Sequence, residues 1–506
     1  MGSPAQKSAR TAEADPTKGL GRSGRRGGAP SPAVGLDRTW VLIALVVPAL
    51  VALVSRTSTI DLAYHVRTGL QILSTHVIPR ADTYSFAVAG RPWFDQQWLS
   101  QVVFASAWKA GGWPTILAVR GLMVSVGVGT LYLACRWQGA RVRTAVFLSV
   151  GGFLLAVPNL YARPQTFAIP LVTITLWLLA SRRVHPWRLA LIPVLTVLWA
   201  NLHGSFPLAL LLVGLALAAD LLDGDLRSAG RTALTLTGVA LATAVTPFGP
   251  QVWSYVWGLL RDPQIRKGVS EWQPPGFDSV WGVAFWVSAA GTVVCGWVRR
   301  AHVRVADILT VLAFGFLGAE AGRNELWWGL VLPVVLAGWL PARATATQRS
   351  ATGRREGMPI KVALAVATVA LLPWWRGTSP SSFLSDAPTG VVTTLRAQAA
   401  GSRVFGLQAW GSWFELEAPG QLVFLDSRIE LYPPALWQDY STMYNAKPGW
   451  EATMARWRID VVALPNDAPL EEVIAHSLGW KQIYAGTDGA VFIAAPLSRA
   501  IPAFLP

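Results

Sequence analysis

Asp61, His65, Asp82 and Asp95 follow the first apolar run of this chain and lie together in one polar segment, residues 56–112. Polar segments of this length are uncommon unless they carry function or contain helices of their own. Carboxylates and imidazoles are the side chains that most often move protons in enzymes. We therefore expect residues 56–112, called the first loop below, to be the active-site loop.

Asp61 is the strongest candidate for a catalytic base. Beside Tyr64, His65 and Arg67, its carboxylate could accept a proton from an acceptor hydroxyl, bind substrate or ligate a metal. The alternative is a helix cap, because Asp complements the dipole at the start of a helix. His65 lies four residues after Asp61 on the same helical face, so the two could act as a catalytic pair. Such a pair alone is weak evidence for a metal site.

Five other residues could contribute to a substrate site, and the first of them is Arg67. Asp82 and Asp95 could supply a second carboxylate, although either could instead cap a turn or a helix. Glu271 and Trp272 stand beside basic residues. That combination suits a sugar phosphate, and it suits an ion pair at the membrane interface equally well.

Arg163, His203 and Arg323 lie at the ends of apolar runs. Cations at the level of a membrane are costly unless they are paired with an anion. Arginine forms strong bidentate hydrogen bonds with phosphate. These residues could therefore bind an anionic lipid phosphate, as substrate or leaving group, or simply anchor lipid head groups.

Composition places the chain among polytopic membrane proteins. Its 506 residues are 52% hydrophobic and only 14% charged, with a mean hydropathy of +0.39, whereas soluble domains carry about a quarter charged residues. The net charge of +15 is not collected in a nucleic-acid-binding module, which argues against a nucleic-acid partner. Cys135 and Cys295 suggest neither a disulfide framework nor a thiolate metal site.

Hydropathy and charge together predict eleven spans with the amino terminus in the cytoplasm of an inner-membrane protein. The predicted spans are 40–54, 115–135, 144–161, 165–181, 189–202, 205–222, 232–247, 280–298, 305–319, 325–340 and 360–375. With this parity the short, strongly basic loops lie inside, as the positive-inside rule requires. The first loop, the turn at Arg163, residues 249–279 and everything after residue 376 then lie outside.

The pattern divides the chain into three parts. Residues 1–38 are predicted to be a disordered basic tail, and residues 39–376 a helical membrane domain. In the first loop, residues 61–74 and 97–109 have the spacing of amphipathic helices on the membrane surface. Residues 377–506, called the C-terminal domain below, alternate strand and helix signals. We expect a small extracytoplasmic α/β domain with a mainly parallel sheet.

A set of motifs resembles bacterial members of the GT-C glycosyltransferase superfamily from about residue 40 onward. The motifs of the first loop are Asp61, Tyr64-His65-Val66, Gly69, Ile72-Leu73, Ile78-Pro79, Asp82, Tyr84-Ser85-Phe86, Trp93, Trp98-Leu99 and Gly111-Gly112. The later ones are Arg163-Pro164-Gln165, Asn201-Leu202-His203-Gly204, Pro247-Phe248-Gly249, Glu271-Trp272-Gln273, Leu425-Asp426-Ser427-Arg428 and Leu431-Tyr432.

The resemblance implies an enzyme that moves a sugar from a polyprenyl-phosphate donor to a glycan, lipid or protein acceptor of the cell envelope. The catalytic carboxylate of the family falls on Asp61. Asp426 and Arg428 could lie at the membrane-facing edge of the C-terminal domain, near the site, or form a structural salt bridge inside that domain. Two positions depart from the family pattern. Tyr64 stands where many relatives have Trp, and Gln96-Gln97 stands where His-Glu often occurs. Loss of that carboxylate argues against a divalent-metal mechanism and leaves Asp95 as the nearby substitute.

Three functions remain open from the sequence. The first is a lipid-linked-sugar glycosyltransferase with Asp61 as general base. The second is a non-catalytic GT-C-like protein that binds or translocates polyprenyl-linked glycans. The third is an ion-coupled transporter, which would normally need several ionisable residues at mid-membrane depth. Arg120 alone lies well inside a predicted span.

Overall fold

The structure is a computed structural model that describes residues 32–58, 61–340, 353–377 and 379–495. Each apolar run predicted to be a span lies in or overlaps a helix. These helices, labelled in chain order, are α1 (Pro32–Val54), α3 (Trp98–Trp137), α4 (Val142–Ala156), α5 (Gln165–Ala180), α6 (Leu191–Leu202), α7 (Pro207–Leu222), α8 (Leu226–Ala242), α11 (Val280–Val298), α12 (Val305–Glu320), α13 (Glu325–Trp339) and α14 (Gly353–Ala370).

Four segments of the described chain are long and apolar enough to cross a membrane. They are Asp37–Val54, Trp98–Trp137, Val142–Asn159 and Val280–Val298. Other apolar helices, such as α5 and α7, have only 16 residues each, so the count of eleven spans stays a prediction. The predicted tail is partly wrong, because residues 32–38 form the first turns of α1. Residues 1–31 lie outside the described part of the chain.

The two helices predicted in the first loop are present as α2 (Leu62–Thr75) and the first part of α3. They pack closely, because a Cβ on Gly69 would lie 2.0 Å from the carbonyl oxygen of Gln101. Helix α3 is kinked at Gly112, whose φ of +66° favours glycine. The kink separates the predicted first-loop helix from the apolar run that follows it. Residues 249–279 contain two further helices, α9 (Gln251–Arg261) and α10 (Pro263–Gly268).

Arg120 of α3 ties together helix ends. It is 1% exposed, and its guanidinium donates hydrogen bonds to the carbonyl oxygens of Ala52, Ser55 and Leu160. The first two oxygens lie at the carboxyl end of α1, where a cation is favoured by the helix dipole. This arrangement gives Arg120 a structural role and removes the residue that best supported a transporter.

The C-terminal domain contains the alternating elements predicted from its sequence. They are α15 (Thr389–Arg396), β1 (Arg403–Gly406), α16 (Gln408–Glu417), β2 (Leu422–Val423), α17 (Pro434–Tyr444), α18 (Trp450–Trp457), β3 (Val461–Leu464), α19 (Pro469–Ile474), β4 (Trp480–Gly486) and β5 (Gly489–Ala494). The strand order is β2-β1-β3-β5-β4. The expectation of a mainly parallel sheet is wrong, since β5 is antiparallel to both β3 and β4. Only two residues, Thr487 and Asp488, connect β4 to β5, and so short a turn requires an antiparallel hairpin.

The first loop packs into the C-terminal domain. The amide of Phe86 donates a 2.9 Å hydrogen bond to the carbonyl of Val423, on the edge strand β2. This contact covers a sheet edge that would otherwise offer free backbone groups. Tyr84 and Trp93 are buried among core residues of the C-terminal domain, including Phe405. The loop and the domain therefore share one hydrophobic core.

The predicted topology can be tested with alkaline phosphatase fusions, because that enzyme is active only outside the cytoplasm. A fusion after residue 380 should be active, and a fusion after residue 300 should be inactive. The second position lies between α11 and α12 in a basic turn that the positive-inside rule places in the cytoplasm. The reverse pattern of activity would overturn the parity.

Candidate active site

A cavity of about 290 Å³, called the site cavity below, lies where α2, the turns after α4 and α6, α9, α10 and the C-terminal domain meet. Several residues predicted as site residues line it: Asp61, His65, Arg163, His203, Glu271, Trp272 and Arg323. The other predicted residues do not line it: Arg67, Asp82, Asp95, Asp426 and Arg428. The structure thus gathers residues from distant parts of the sequence around one space.

Arg163 joins two carboxylates at the site cavity. Its Nε lies 2.9 Å from Oδ2 of Asp61, and its Nη1 lies 2.8 Å from Oε2 of Glu271. Arg323 continues the chain of charges, with Nη1 3.8 Å from Oε1 of Glu271. Asp61 precedes α2, yet its side chain makes no capping hydrogen bond there. Its carboxylate pairs with Arg163 instead, which favours a site role over the capping alternative.

The surroundings of Asp61 make its carboxylate easier to protonate. Burial raises the pKa of Asp61 above its ordinary value, and the guanidinium of Arg163 opposes this shift without cancelling it. Burial lowers the pKa of Arg163, but its two carboxylate partners raise it by more. The cavity therefore holds a permanent cation next to a carboxylate that is a stronger base than a solvated aspartate.

The two histidines of the cavity are neutral near pH 7. Burial, with the charge of Arg163, lowers the pKa of His65 well below its ordinary value. Burial, with the charge of Arg323, lowers that of His203 to about 3. His203 Nδ1 lies 2.8 Å from Oγ of Ser205. Nδ1 of His65 is buried and has no hydrogen-bond partner among the described residues, so no direct hydrogen bond from that atom joins it to Asp61.

Arg323 retains capacity to bind an anion. Its guanidinium carbon lies 4.5 Å from the centroid of the Trp272 ring, and its salt bridge to Glu271 is long. Among the described residues, no acceptor forms a hydrogen bond with Arg323 that is shorter than this 3.8 Å contact. Burial lowers its pKa from the ordinary value, as expected for a cation held in a poorly solvated site. A phosphate entering the cavity would find unused N–H donors here.

Several lining residues were not predicted as site residues from the sequence: Tyr64, Gln97, Gln165, Tyr255, Gln408, Ser427 and Glu430. Burial raises the pKa of Glu430 to about 7. It also raises the pKa of Tyr64 and Tyr255 well above the ordinary value. Gln408 and Ser427 follow β1 and β2, which are parallel. The carboxyl ends of parallel strands meet at one sheet edge, and ligands bind there in open α/β sheets.

A buried ion cluster, formed by Asp82, Asp426 and Arg428, joins this edge of the sheet to the first loop. Nη2 of Arg428 lies 2.6 Å from Oδ1 of Asp82, and Arg428 also forms a salt bridge with Asp426. All three side chains are inaccessible to solvent. The guanidinium lies 5.0 Å from the Tyr84 ring and 4.6 Å from the Trp93 ring. Asp82 also accepts hydrogen bonds from the amides of residues 84 and 85, as a turn cap does.

Asp95 and Arg67 do not line the cavity. Asp95 is 2% exposed, and its Oδ1 accepts a 2.7 Å hydrogen bond from Gln101. Its Oδ2 has no partner among the described residues, and burial raises the pKa of Asp95 to about 8. Arg67 lies 5.9 Å from the Tyr84 ring. In the described residues no group of three or more acidic, histidine or cysteine side chains is placed to hold a metal.

The chain matches no protein-family model and no curated protein, but solved structures resemble it in fold. The Archaeoglobus fulgidus oligosaccharyltransferase, tethered with an acceptor peptide, superposes with a TM-score of 0.54 and 11% identity, over 85% of this chain and 69% of that one. ArnT from Cupriavidus metallidurans in the apo state gives a TM-score of 0.52 and 16% identity, over 91% and 98% of the two chains. ArnT bound to undecaprenyl phosphate gives 0.52 and 15%, over 92% and 99%.

This chain has the GT-C glycosyltransferase fold. The resemblance inferred from its motifs is thereby confirmed at the level of fold. At identities of 11% to 16% the likeness carries no residue roles, so those assigned to Asp61 and its neighbours stay predictions. In this chain the first loop, the helical bundle and the C-terminal domain all contribute residues to the site cavity.

Arg428 provides a test of the link between the two parts of the GT-C fold. Arg428→Ala leaves Asp82 and Asp426 buried without a counter-charge, which typically costs about 3–5 kcal/mol of stability. The melting temperature in detergent should fall sharply. Arg456→Ala is the matched control, because Arg456 pairs with Asp439 while 60% exposed and should lose about 1 kcal/mol or less. Equal losses in the two variants would remove the structural role of Arg428.

Asp95 should make the stability of the protein fall as pH rises. The pKa of Asp95 in the folded state is about 8, above the value of about 3.9 for an unfolded aspartate. Between about pH 4 and pH 8 the folded state therefore binds one more proton at Asp95 than the unfolded state does. Stability is then lost by on the order of 1 kcal/mol for each pH unit. In Asp95→Asn, melting temperatures measured from pH 5 to 8 should decline less steeply than in wild type. An unchanged slope would contradict a neutral Asp95.

Proposed function

We propose that this chain is a membrane glycosyltransferase that takes a sugar from a polyprenyl-phosphate donor and attaches it to an acceptor hydroxyl outside the membrane. One observation carries the proposal: a basic carboxylate, Asp61, and two arginines, Arg163 and Arg323, face the same cavity. Transfer from a phosphodiester requires both kinds of group. The acceptor must lose a proton, and the departing phosphate must be stabilised.

The reaction follows from the placement of these groups. The acceptor oxygen attacks the anomeric carbon while its proton passes to Asp61. The bond from that carbon to the phosphate oxygen breaks, and the polyprenyl phosphate leaves with the electron pair. Arg323, which has unused donors, and Arg163 neutralise the negative charge that develops on the phosphate. Neutral His203 and Trp272 complete this side without adding charge.

The similar structures support the choice of substrates. ArnT from Cupriavidus metallidurans was solved with undecaprenyl phosphate bound, and the Archaeoglobus oligosaccharyltransferase was solved with a tethered acceptor peptide. A lipid-linked sugar and a cell-envelope glycan, lipid or protein acceptor are therefore proposed here too. The residues lining the cavity supply the base and the anion-binding groups without a divalent ion.

A second candidate is a non-catalytic protein that binds or translocates polyprenyl-linked glycans. Gln97 lines the cavity at a position where the family resemblance implies a glutamate. An amide binds hydroxyl groups but neither accepts protons nor holds a metal strongly. This candidate would bind the donor and leave it intact, so it can be separated from the enzyme by experiment.

Asp61→Asn is the deciding substitution. It keeps the size of the side chain and removes its charge, so loss of a general base should slow turnover by about a hundred- to ten-thousandfold, equivalent to roughly 3–5 kcal/mol of barrier. Purified protein would be assayed with radiolabelled polyprenyl-phosphate sugars and a crude envelope acceptor. Melting temperature and donor binding should stay near wild type.

Asp439→Asn is the matched control for this substitution. Asp439 also pairs with an arginine and is similarly exposed, 27% against 25% for Asp61, but it lies on the surface of the C-terminal domain away from the site cavity. Its activity should equal that of wild type. Turnover of Asp61→Asn within a few-fold of wild type would exclude Asp61 as base. Donor binding without any transfer by wild type would favour the non-catalytic candidate.

A further inference from the structure

The residues that line the site cavity form two sets of different chemistry. Arg323, Trp272 and His203, called the phosphate side below, are the residues assigned above to the donor phosphate. The second set comes from other elements and consists of Tyr64 of α2, Tyr255 of α9, and Ser427 and Glu430 of the C-terminal domain. This second set, called the hydroxyl wall below, contains three hydroxyl groups and a carboxyl group. It contains no cation.

Glu430 is the group of the hydroxyl wall that carries charge. It lies close enough to Asp61, Tyr64 and Tyr255 to influence their protonation or be influenced by it. Many acidic residues of the described chain form salt bridges, such as Asp61 with Arg163 and Asp439 with Arg456. Among the described residues, Glu430 forms none. The nearest cation, Arg428, is already committed to Asp82 and Asp426.

The anchoring of Arg428 sets the direction of Glu430. In the segment 426–430, the side chains of Asp426 and Arg428 belong to the buried ion cluster. Those of Ser427, Ile429 and Glu430 line the site cavity. The segment cannot rotate without breaking a solvent-free salt bridge, which is strongly unfavourable. Glu430 is therefore held facing the cavity that Asp61 also lines.

The charges around the cavity limit what can bind beside Asp61. Its acidic residues are Asp61, Glu271 and Glu430, and its cations are Arg163 and Arg323, while both histidines are neutral. A donor phosphate adds one more negative charge and occupies the arginines. An acceptor bearing a carboxylate or phosphate would then meet like charges without a free cation, and such contacts are strongly unfavourable in a poorly solvated site.

We propose that the hydroxyl wall is the acceptor subsite and that Glu430 restricts the acceptor to hydroxyl compounds without negative charge, favouring those with an amino group. This inference rests on the proposed function, because it assigns the second substrate of that reaction. Tyr64, Tyr255 and Ser427 bind the neutral hydroxyl groups of the acceptor. Glu430 supplies the charge preference and acts as a specificity-determining residue.

The test compares three probes with the same ring: methyl glucopyranoside, its 2-amino-2-deoxy analogue and methyl glucuronide. Binding to the detergent-solubilised protein is measured at pH 8 by saturation-transfer NMR, with undecaprenyl phosphate present to fill the phosphate side. The amino sugar should bind best. The glucuronide should bind at least about tenfold more weakly than the neutral glycoside, as expected for a like charge in such a site. Equal binding of the three probes, stronger binding of the glucuronide or no binding of any probe would overturn the proposal.

Glu430→Gln tests the residue itself, because it keeps the shape of the side chain and removes the charge. The preference for the amino sugar over the glucuronide should shrink at least about tenfold, with the melting temperature measured alongside. Glu472→Gln, an exposed substitution in α19, should keep the wild-type preference. If the variant is unstable, the wild-type comparison still decides the proposal. Because binding is measured without sugar transfer, a failed transfer assay with retained preference would count against the proposed function alone.

Discussion

The buried contact of Arg428 with Asp82 is the interaction on which the rest of the site depends. It crosses between the first loop and the C-terminal domain, and both side chains are fully removed from solvent. Isolated buried charges are too costly to persist. Arg428 also pairs with Asp426 of its own domain, whereas Asp82 gains its cation only when the two parts dock. The rings of Tyr84 and Trp93 lie 5.0 and 4.6 Å from the guanidinium and add cation–π contacts.

That docking helps to explain how the site cavity is built from six separate parts of the chain. Once the C-terminal domain is fixed to the first loop, the carboxyl edge of β1 and β2 can lie only above α2. Ser427 and Glu430 then line the same cavity as Asp61, while Arg163 and Glu271 reach it from the turns of the helical bundle. The bundle supplies the cations of the site, and the docked domain adds Gln408, Ser427 and Glu430 to its lining.

Local features of the sequence were sufficient to predict most of the elements. Periodicity located α2 and the first part of α3, and the strand signals at 403–406 and 460–464 lie at β1 and β3. Strand direction was predicted wrongly because pairing is a long-range property, and the hairpin turn between β4 and β5 was not recognised. The pairing of Asp61 with Arg163 was equally inaccessible, since nothing in either local segment specifies the other. Glu430 was overlooked for a related reason: only the inward anchoring of Arg428 shows that its neighbours face the cavity.

A carboxylate in a salt bridge is ordinarily a poor base, and the geometry around Asp61 resolves this difficulty. Arg163 divides its donors between Asp61 and Glu271, and burial outweighs its effect on the pKa of Asp61. An incoming phosphate would compete with Asp61 for the guanidinium, because phosphate oxygens can accept two hydrogen bonds from one arginine. In the proposed reaction, donor binding would thereby weaken the ion pair and strengthen Asp61 as a base. The ion pair would then link occupation of the phosphate side to activation of the acceptor.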